Sequence, residues 1–75
     1  MPMTVEVFKT NITDQQTAGM LVAEIHKAFA GYKANFDLED CDRILRIQCD
    51  RTDIKCRLII RLLNNLGYKA EVLID

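Results

Sequence analysis

The chain has 75 residues, of which 49% are apolar, and its ten basic and eleven acidic side chains nearly cancel. That length accommodates one domain, residues 1–75, and the apolar content excludes a disordered chain. The near-neutral charge argues against a dedicated nucleic-acid binder, and no apolar run approaches the roughly 18 residues that a membrane span needs. Residues 1–42 hold three lysines against seven acids, whereas residues 43–75 hold seven basic side chains against four acids. Such a division produces either two solvated surfaces or a field that steers a partner.

A strand and a helix are predicted in the first 31 residues. Residues 4–10 alternate as a strand, with Val5 and Phe8 on opposite faces, and the pattern leaves open which face is buried. The sequence Thr13-Asp14-Gln15-Gln16 is typical of a capping box, in which Thr13 caps the helix. Gly31 supplies the left-handed exit from that helix. Its apolar residues recur at helical spacing: Ala18, Leu21, Val22, Ile25 and Phe29.

Two further strands and a second helix follow. Residues 32–38 alternate as a strand, the acidic stretch 39–42 is a turn, and residues 43–49 form a third strand that pairs with the second as a hairpin. Thr52 or Asp53 is predicted to cap a second helix that runs to Leu66. Gly67 ends that helix, and residues 68–74 form the last strand. This βαββαβ order predicts an α+β, ferredoxin-like sandwich of four antiparallel strands with two helices on one face.

The stretch 65–72, Asn-Leu-Gly-Tyr-Lys-Ala-Glu-Val, resembles the end of a heavy-metal-associated domain, and Cys56, Ile59 and Leu63 fit apolar positions of that family's second helix. In the family, a Met-Thr-Cys-x-x-Cys loop after the first strand holds Cu(I) or Zn(II). The matching loop here, residues 12–17, places Asp14 and Thr17 at the thiol positions. Because hard oxygen donors do not hold Cu(I), the resemblance implies the fold without the metal chemistry.

The same loop is where members of the family meet their partners. The resemblance therefore marks Asp14, Gln15 and Thr17 as candidate partner contacts. The alternative interpretation is that these residues serve only to cap the first helix.

Three cysteines form an odd count without secretory context, which indicates reduced thiols in a cytoplasmic protein. Cys41, in the acidic turn, is expected to be exposed, and Cys49 and Cys56 are expected to pack as small hydrophobes. His26 is expected to face solvent. A second hypothesis remains open, in which these cysteines or His26 serve as non-standard ligands of a metal carrier.

The chain contains no serine, and its spacing offers no Cys-His-Asx or paired-carboxylate set, so neither an enzyme nor a cofactor is expected. The third strand lacks the aromatic residues that RNA-recognition motifs stack on bases. Glu39, Asp40 and Asp42 lack the glycine and terminal glutamate of an EF-hand, so they would bind a hard cation only weakly.

The second helix is more apolar than one buried stripe requires. Some of Ile54, Leu58 and Ile60 are therefore expected to stay exposed, which marks self-association or a protein partner. The sequence thus predicts a non-enzymatic binding module. A metal carrier is the alternative, and a regulatory small-ligand domain is a third hypothesis that rests on fold analogy alone.

Overall fold

The computed structural model describes residues 3–50 and 53–73. The elements, in chain order, are β1 (Thr4–Thr10), α1 (Gln15–Ala28), β2 (Lys33–Asp37), β3 (Ile44–Cys49), α2 (Cys56–Asn65) and β4 (Ala70–Val72). The strands form one antiparallel sheet in the order β2-β3-β1-β4. The α+β class and the antiparallel hairpin of β2 with β3 are confirmed.

The pairing of β1 with β3 shows which face of β1 is buried. Phe8 lies opposite Leu45, and Glu6 lies opposite Ile47. Phe8, Leu45 and Ile47 are fully buried, whereas Val5, on the other face, is 45% exposed. The face that carries Glu6 and Phe8 therefore packs into the core, and the face of Val5 stays open.

Both helices contribute to one hydrophobic cluster on that side of the sheet. Leu21 and Ile25 of α1 and Ile59 and Leu63 of α2 are fully buried there, together with Phe8. Burial of each such side chain contributes roughly 1.5–3 kcal/mol relative to its exposure to water. None of the helices in the described residues is both long and apolar enough to cross a bilayer.

The predicted capping box at the start of α1 was wrong by one residue. Asp14, not Thr13, is the cap residue, and its carboxylate accepts a hydrogen bond from the Thr17 N–H at 2.9 Å. The Asp14 carbonyl also accepts the first helical bond, from Ala18, at 3.1 Å. A carboxylate at position 14 satisfies one free N–H group of the first turn, that of Thr17, so the helix begins at Gln15.

The predicted start of α2 was also wrong. Thr52 lies outside the described residues, and Asp53 does not cap the helix, which begins at Cys56 after Lys55 without a side-chain cap. The cause is tertiary: Ile54 is 6% exposed and packs in the core, while the Lys55 N–H donates to the Tyr32 hydroxyl at 2.8 Å. These contacts hold the segment in a non-helical path.

Gly67 ends α2 as predicted, but the prediction that Gly31 ends α1 was wrong: that helix ends at Ala28, its cap residue Phe29 is extended, and Gly31 lies in the turn that follows. Gly31 and Gly67 have φ of 89° and 96°, a left-handed conformation that costs glycine little. After α2, the Tyr68 N–H turns back to the Leu63 carbonyl at 2.9 Å. As a result β4 spans only Ala70–Val72, which is shorter than the predicted strand; Ile74 lies outside the described residues.

Candidate functional site

The loop before α1, where the resemblance places metal thiols, is a helix cap. Hydrogen bonds from Thr17, first from its backbone N–H and then from its side chain, lower the pKa of the Asp14 carboxyl below its ordinary value of 3.8. Asp14 and Gln15 are exposed, and Thr17 is half-buried. The residues at the two thiol positions are therefore bonded to each other. Their local task is to start the helix.

This loop is anchored to two other segments at the same end of the sheet. The Asn11 N–H donates to the Lys69 carbonyl at 3.3 Å, and the Asn11 Oδ1 accepts from the Lys69 N–H at 2.9 Å. The Thr10 N–H donates to the Asp42 carbonyl at 3.1 Å, and the Thr10 hydroxyl donates to the Arg43 carbonyl. The term loop end denotes these three segments together: residues 10–14, 38–43 and 66–69.

One residue of the loop end has a left-handed backbone without being glycine. Arg43 has a φ of 51°, which is uncommon for a residue with a Cβ. Its N–H donates to the Asp40 carbonyl at 3.1 Å, and its Nη1 donates to the Leu38 carbonyl at 2.8 Å. These bonds hold the turn between β2 and β3 in place.

The thiols do not gather at one place. Cys41 is exposed in the turn before β3, whereas Cys49 is the last residue of β3 and is 3% exposed. The strand between Ile44 and Cys49 measures about 17 Å, so Cys41 and Cys49 cannot share a metal ion. The predictions for Cys41 and Cys49 are confirmed, while Cys56 is only half-buried.

Cys56 lies against the carboxylate of Glu6. Partial burial of the thiol, followed by the negative charge of Glu6 and a hydrogen bond to it, raises the pKa of Cys56 above its ordinary value of 9.0. The thiol therefore stays protonated at neutral pH. Because the thiolate is the nucleophile and the metal ligand, this environment works against both roles.

His26 has a structural contact that the sequence did not reveal. Its side chain is exposed, as predicted, but its Nε2 accepts a hydrogen bond from the Ala34 N–H at 3.0 Å. Ala34 belongs to β2, an edge strand, whose outward N–H groups have no strand partner. A metal ion at Nε2 would have to break this bond.

In the described residues, one cluster of side chains brings three possible metal-ligand atoms together. These atoms belong to Asp40, Cys41 and Asp42 and lie within 4.8 Å of one another. The Asp40 Oδ1 already accepts a hydrogen bond from the Asp42 N–H at 2.9 Å, and the Asp42 Oδ1 lies 3.9 Å from the Lys9 Nζ. These contacts account for the carboxylates as parts of the turn.

A groove of about 500 Å³ lies beside the loop end. Its lining includes Lys9, Lys69 and Glu71, which are exposed, and Asn11, whose side chain is bonded to the Lys69 backbone. Small-molecule sites are lined mainly by apolar and aromatic side chains with a few convergent polar groups. This lining has no aromatic residue, so the groove lacks the features of a formed ligand pocket.

The solvent side of α2 carries two neighbouring rows of side chains. Leu58 and Leu66 are 41% and 40% exposed, and Leu62, between them at helical spacing, is half-buried against the core. Residues four apart lie on one line along a helix. The leucine row is therefore Leu58 and Leu62 of α2 with Leu66, the cap residue that directly follows the helix. The row beside it, one residue earlier, is Arg57, Arg61 and Asn65, all exposed.

The expectation that some of Ile54, Leu58 and Ile60 stay exposed is confirmed for Leu58, while their role as partner contacts stays a prediction. Leu58 is exposed as expected, and Ile60 is half-buried. Ile54, one of the three candidates for exposure, instead packs in the core ahead of α2 at 6% exposure. Leu66, the cap residue at the end of α2, is exposed as well, at 40%.

Comparison with known proteins adds no relative. Neither a protein-family model, nor a curated protein, nor a solved structure matches this chain.

Proposed function

We propose that this protein is a ferredoxin-like interaction module that binds proteins, either a second copy of itself or a different partner, without catalysing a reaction. The order of its elements and the strand order β2-β3-β1-β4 support that fold. It resembles a heavy-metal-associated domain in which the capping pair Asp14 and Thr17 replaces the metal thiols. Its reduced cysteines suit a cytoplasmic location.

The observation that carries this proposal is the leucine row of α2. A helix that covers a sheet needs one apolar face about 100° wide, and here Ile59 and Leu63 are its fully buried residues, flanked by the partly buried Cys56, Ile60 and Leu62. Leu58 and Leu66 add exposed apolar area beside that face. Adjacent apolar side chains kept in contact with water favour a surface that a partner covers.

The exposed residues of the α1 cap also support a protein-binding role. Gln15 is exposed at the loop end, and the Asp14 carboxylate keeps lone pairs beyond the one bonded to Thr17. This loop remains a proposed contact surface, as the resemblance implies. The leucine row ranks above it because apolar burial drives most protein association.

Light scattering coupled to size-exclusion chromatography, together with affinity capture, tests the proposal. The double variant Leu58→Gln/Leu66→Gln should lose a dimer or a captured partner that the natural chain retains. Met20→Gln is the matched control, since Met20 is 44% exposed on α1. A natural chain that is strictly monomeric and captures no protein would contradict the proposal.

A further inference from the structure

We propose that the solvent side of α2 binds an acidic amphipathic helix of another protein, with the leucine row taking the apolar side chains and Arg57 and Arg61 pairing with carboxylates. This inference rests on the proposed function and specifies its partner.

The charge of α2 is one-sided. The helix carries Arg57 and Arg61, both exposed, and no acid anywhere between Cys56 and Asn65. Within the described residues, the ion pairs join Lys9 to Asp42 and Lys55 to Asp53, so neither arginine is paired. Two unpaired guanidinium groups favour carboxylates, which they can bind through two parallel hydrogen bonds.

The geometry of the rows selects a helical partner. The leucine and arginine rows run side by side along the helix axis, with four residues, a rise of about 6 Å, between successive members. A partner helix that repeats apolar residues at three- and four-residue spacing, with acids on the adjoining line, presents the same period. Apolar contacts then supply affinity and the charges set the orientation.

A second copy of this chain fits less well. Its acidic segment is the end of β2, with Asp37, and the turn that follows, with Glu39, Asp40 and Asp42. The large apolar side chain within that turn, Leu38, is 8% exposed and belongs to the core. The turn therefore offers charge for the arginine row but no large apolar group for the leucine row.

A lipid surface and RNA are also poorer matches. Lipid-binding segments carry clusters of about four to eight basic residues, more than α2 presents. Single-stranded RNA is held through stacking on aromatic side chains, and α2 has none. A surface of leucines beside arginines therefore fits an acidic protein helix better than it fits a lipid surface or RNA.

Selection from a random peptide library long enough for four helical turns tests the inference, with the full chain as bait. Enriched peptides should be acidic, with leucine or isoleucine at three- and four-residue spacing. Fluorescence anisotropy with a selected peptide should show binding that Arg57→Glu/Arg61→Glu or Leu58→Gln weakens by about tenfold or more. Lys27→Glu and Met20→Gln, exposed positions on α1, are the matched controls and should leave it unchanged.

A charge swap makes the test independent of folding defects. A copy of the selected peptide with lysine in place of each acid should fail on the natural chain and bind the Arg57→Glu/Arg61→Glu variant. If the Arg57→Glu/Arg61→Glu variant has a native circular dichroism spectrum but binds neither the acidic peptide nor its lysine copy, the inference is overturned.

The remaining outcomes separate the inference from the proposed function. Peptides that are basic or proline-rich, or that bind independently of Leu58 and the arginines, would overturn this inference and leave a protein-binding module. Binding of poly(U) RNA, or of vesicles of equimolar phosphatidylserine and phosphatidylcholine, that is lost in Arg57→Glu/Arg61→Glu while no acidic peptide is enriched would overturn it as well. If no peptide is enriched and the chain is strictly monomeric, both this inference and the proposed function are contradicted.

Discussion

Asp14 shows how one exposed side chain can set a helix boundary. Its carboxylate accepts the Thr17 N–H, and the Ala18 N–H donates to its carbonyl, so two donors of the first turn are satisfied by one residue. Its place beside a helix N-terminus also stabilises the negative charge of the carboxylate.

We expect Asp14→Ala to lower the melting temperature at neutral pH, because the N–H of Thr17 loses its acceptor. Since the folded pKa of Asp14 lies below 3.8, its stabilisation is present above that value and is lost as the pH falls through the folded pKa. The difference between the variant and the natural chain should therefore shrink in acid. Thermal melts followed by circular dichroism across this pH range measure it.

Asp14→Asn is the control for that prediction. Asparagine caps helices about as well as aspartate but does not titrate. Its melting temperature should stay near that of the natural chain at neutral pH. If Asp14→Ala and Asp14→Asn melted at the same temperature, the cap would have no role in stability.

At the scale of the element, α2 carries two tasks on adjacent faces. Ile59 and Leu63 are fully buried and attach the helix to the sheet. Leu58 and Leu66, at 41% and 40% exposure, keep a large part of their apolar surface in contact with water. Leucine therefore stabilises the fold at position 63 and is proposed to contact a partner at position 58.

Substitution of two leucines in α2 should separate these tasks. Leu63→Ala removes fully buried atoms and leaves a cavity, so it should lower the free energy of unfolding by about 2–5 kcal/mol. Leu58→Ala removes a side chain that is 41% exposed, and it should cost about 1 kcal/mol or less. Urea titration measures both.

Leu63→Met, which nearly conserves volume, should cost less than about 1.5 kcal/mol and serves as the volume control. Equal losses for Leu63→Ala and Leu58→Ala would show that the two faces of α2 are not distinct.

At the scale of the whole molecule, the sheet has two edges that are protected differently. β4 is an edge of only three residues, and β2 is an edge whose Ala34 N–H is taken up by His26 of α1. Short edges and covered edges both reduce pairing with other chains. Through this bond α1 covers part of the β2 edge of the sheet, in addition to packing on one face of the sheet.

We expect His26→Ala to speed hydrogen exchange at the Ala34 amide, because that amide then faces solvent without an acceptor. Amides of the central strands, such as that of Leu45, should keep their exchange rates. Exchange followed by NMR gives both rates in one experiment, and Lys27→Ala, next to His26, is the control. Unchanged exchange at Ala34 in His26→Ala would show that the bond gives no protection.

The sequence predicted every element because each carries a local signal. Alternation marks the strands, the spacing from Ala18 to Ile25 marks α1, and Gly67 marks the exit of α2. It did not predict the start of α2, because the path of residues 53–55 depends on core burial of Ile54 and on the Tyr32 hydroxyl, which is distant in sequence. Likewise the left-handed backbone of Arg43 depends on bonds to Leu38 and Thr10.

The same division applies to the candidate site. By itself the sequence determined that residues 12–17 carry no thiol and that α2 has surplus leucine, since both follow from residue identity and period. Only the tertiary structure decided that Cys41 lies far from Cys49, that His26 is bonded to β2, and that Leu58 is exposed while Ile54 is buried. The physical reason is that identity and spacing are local, whereas distance and burial depend on which segments the sheet brings together.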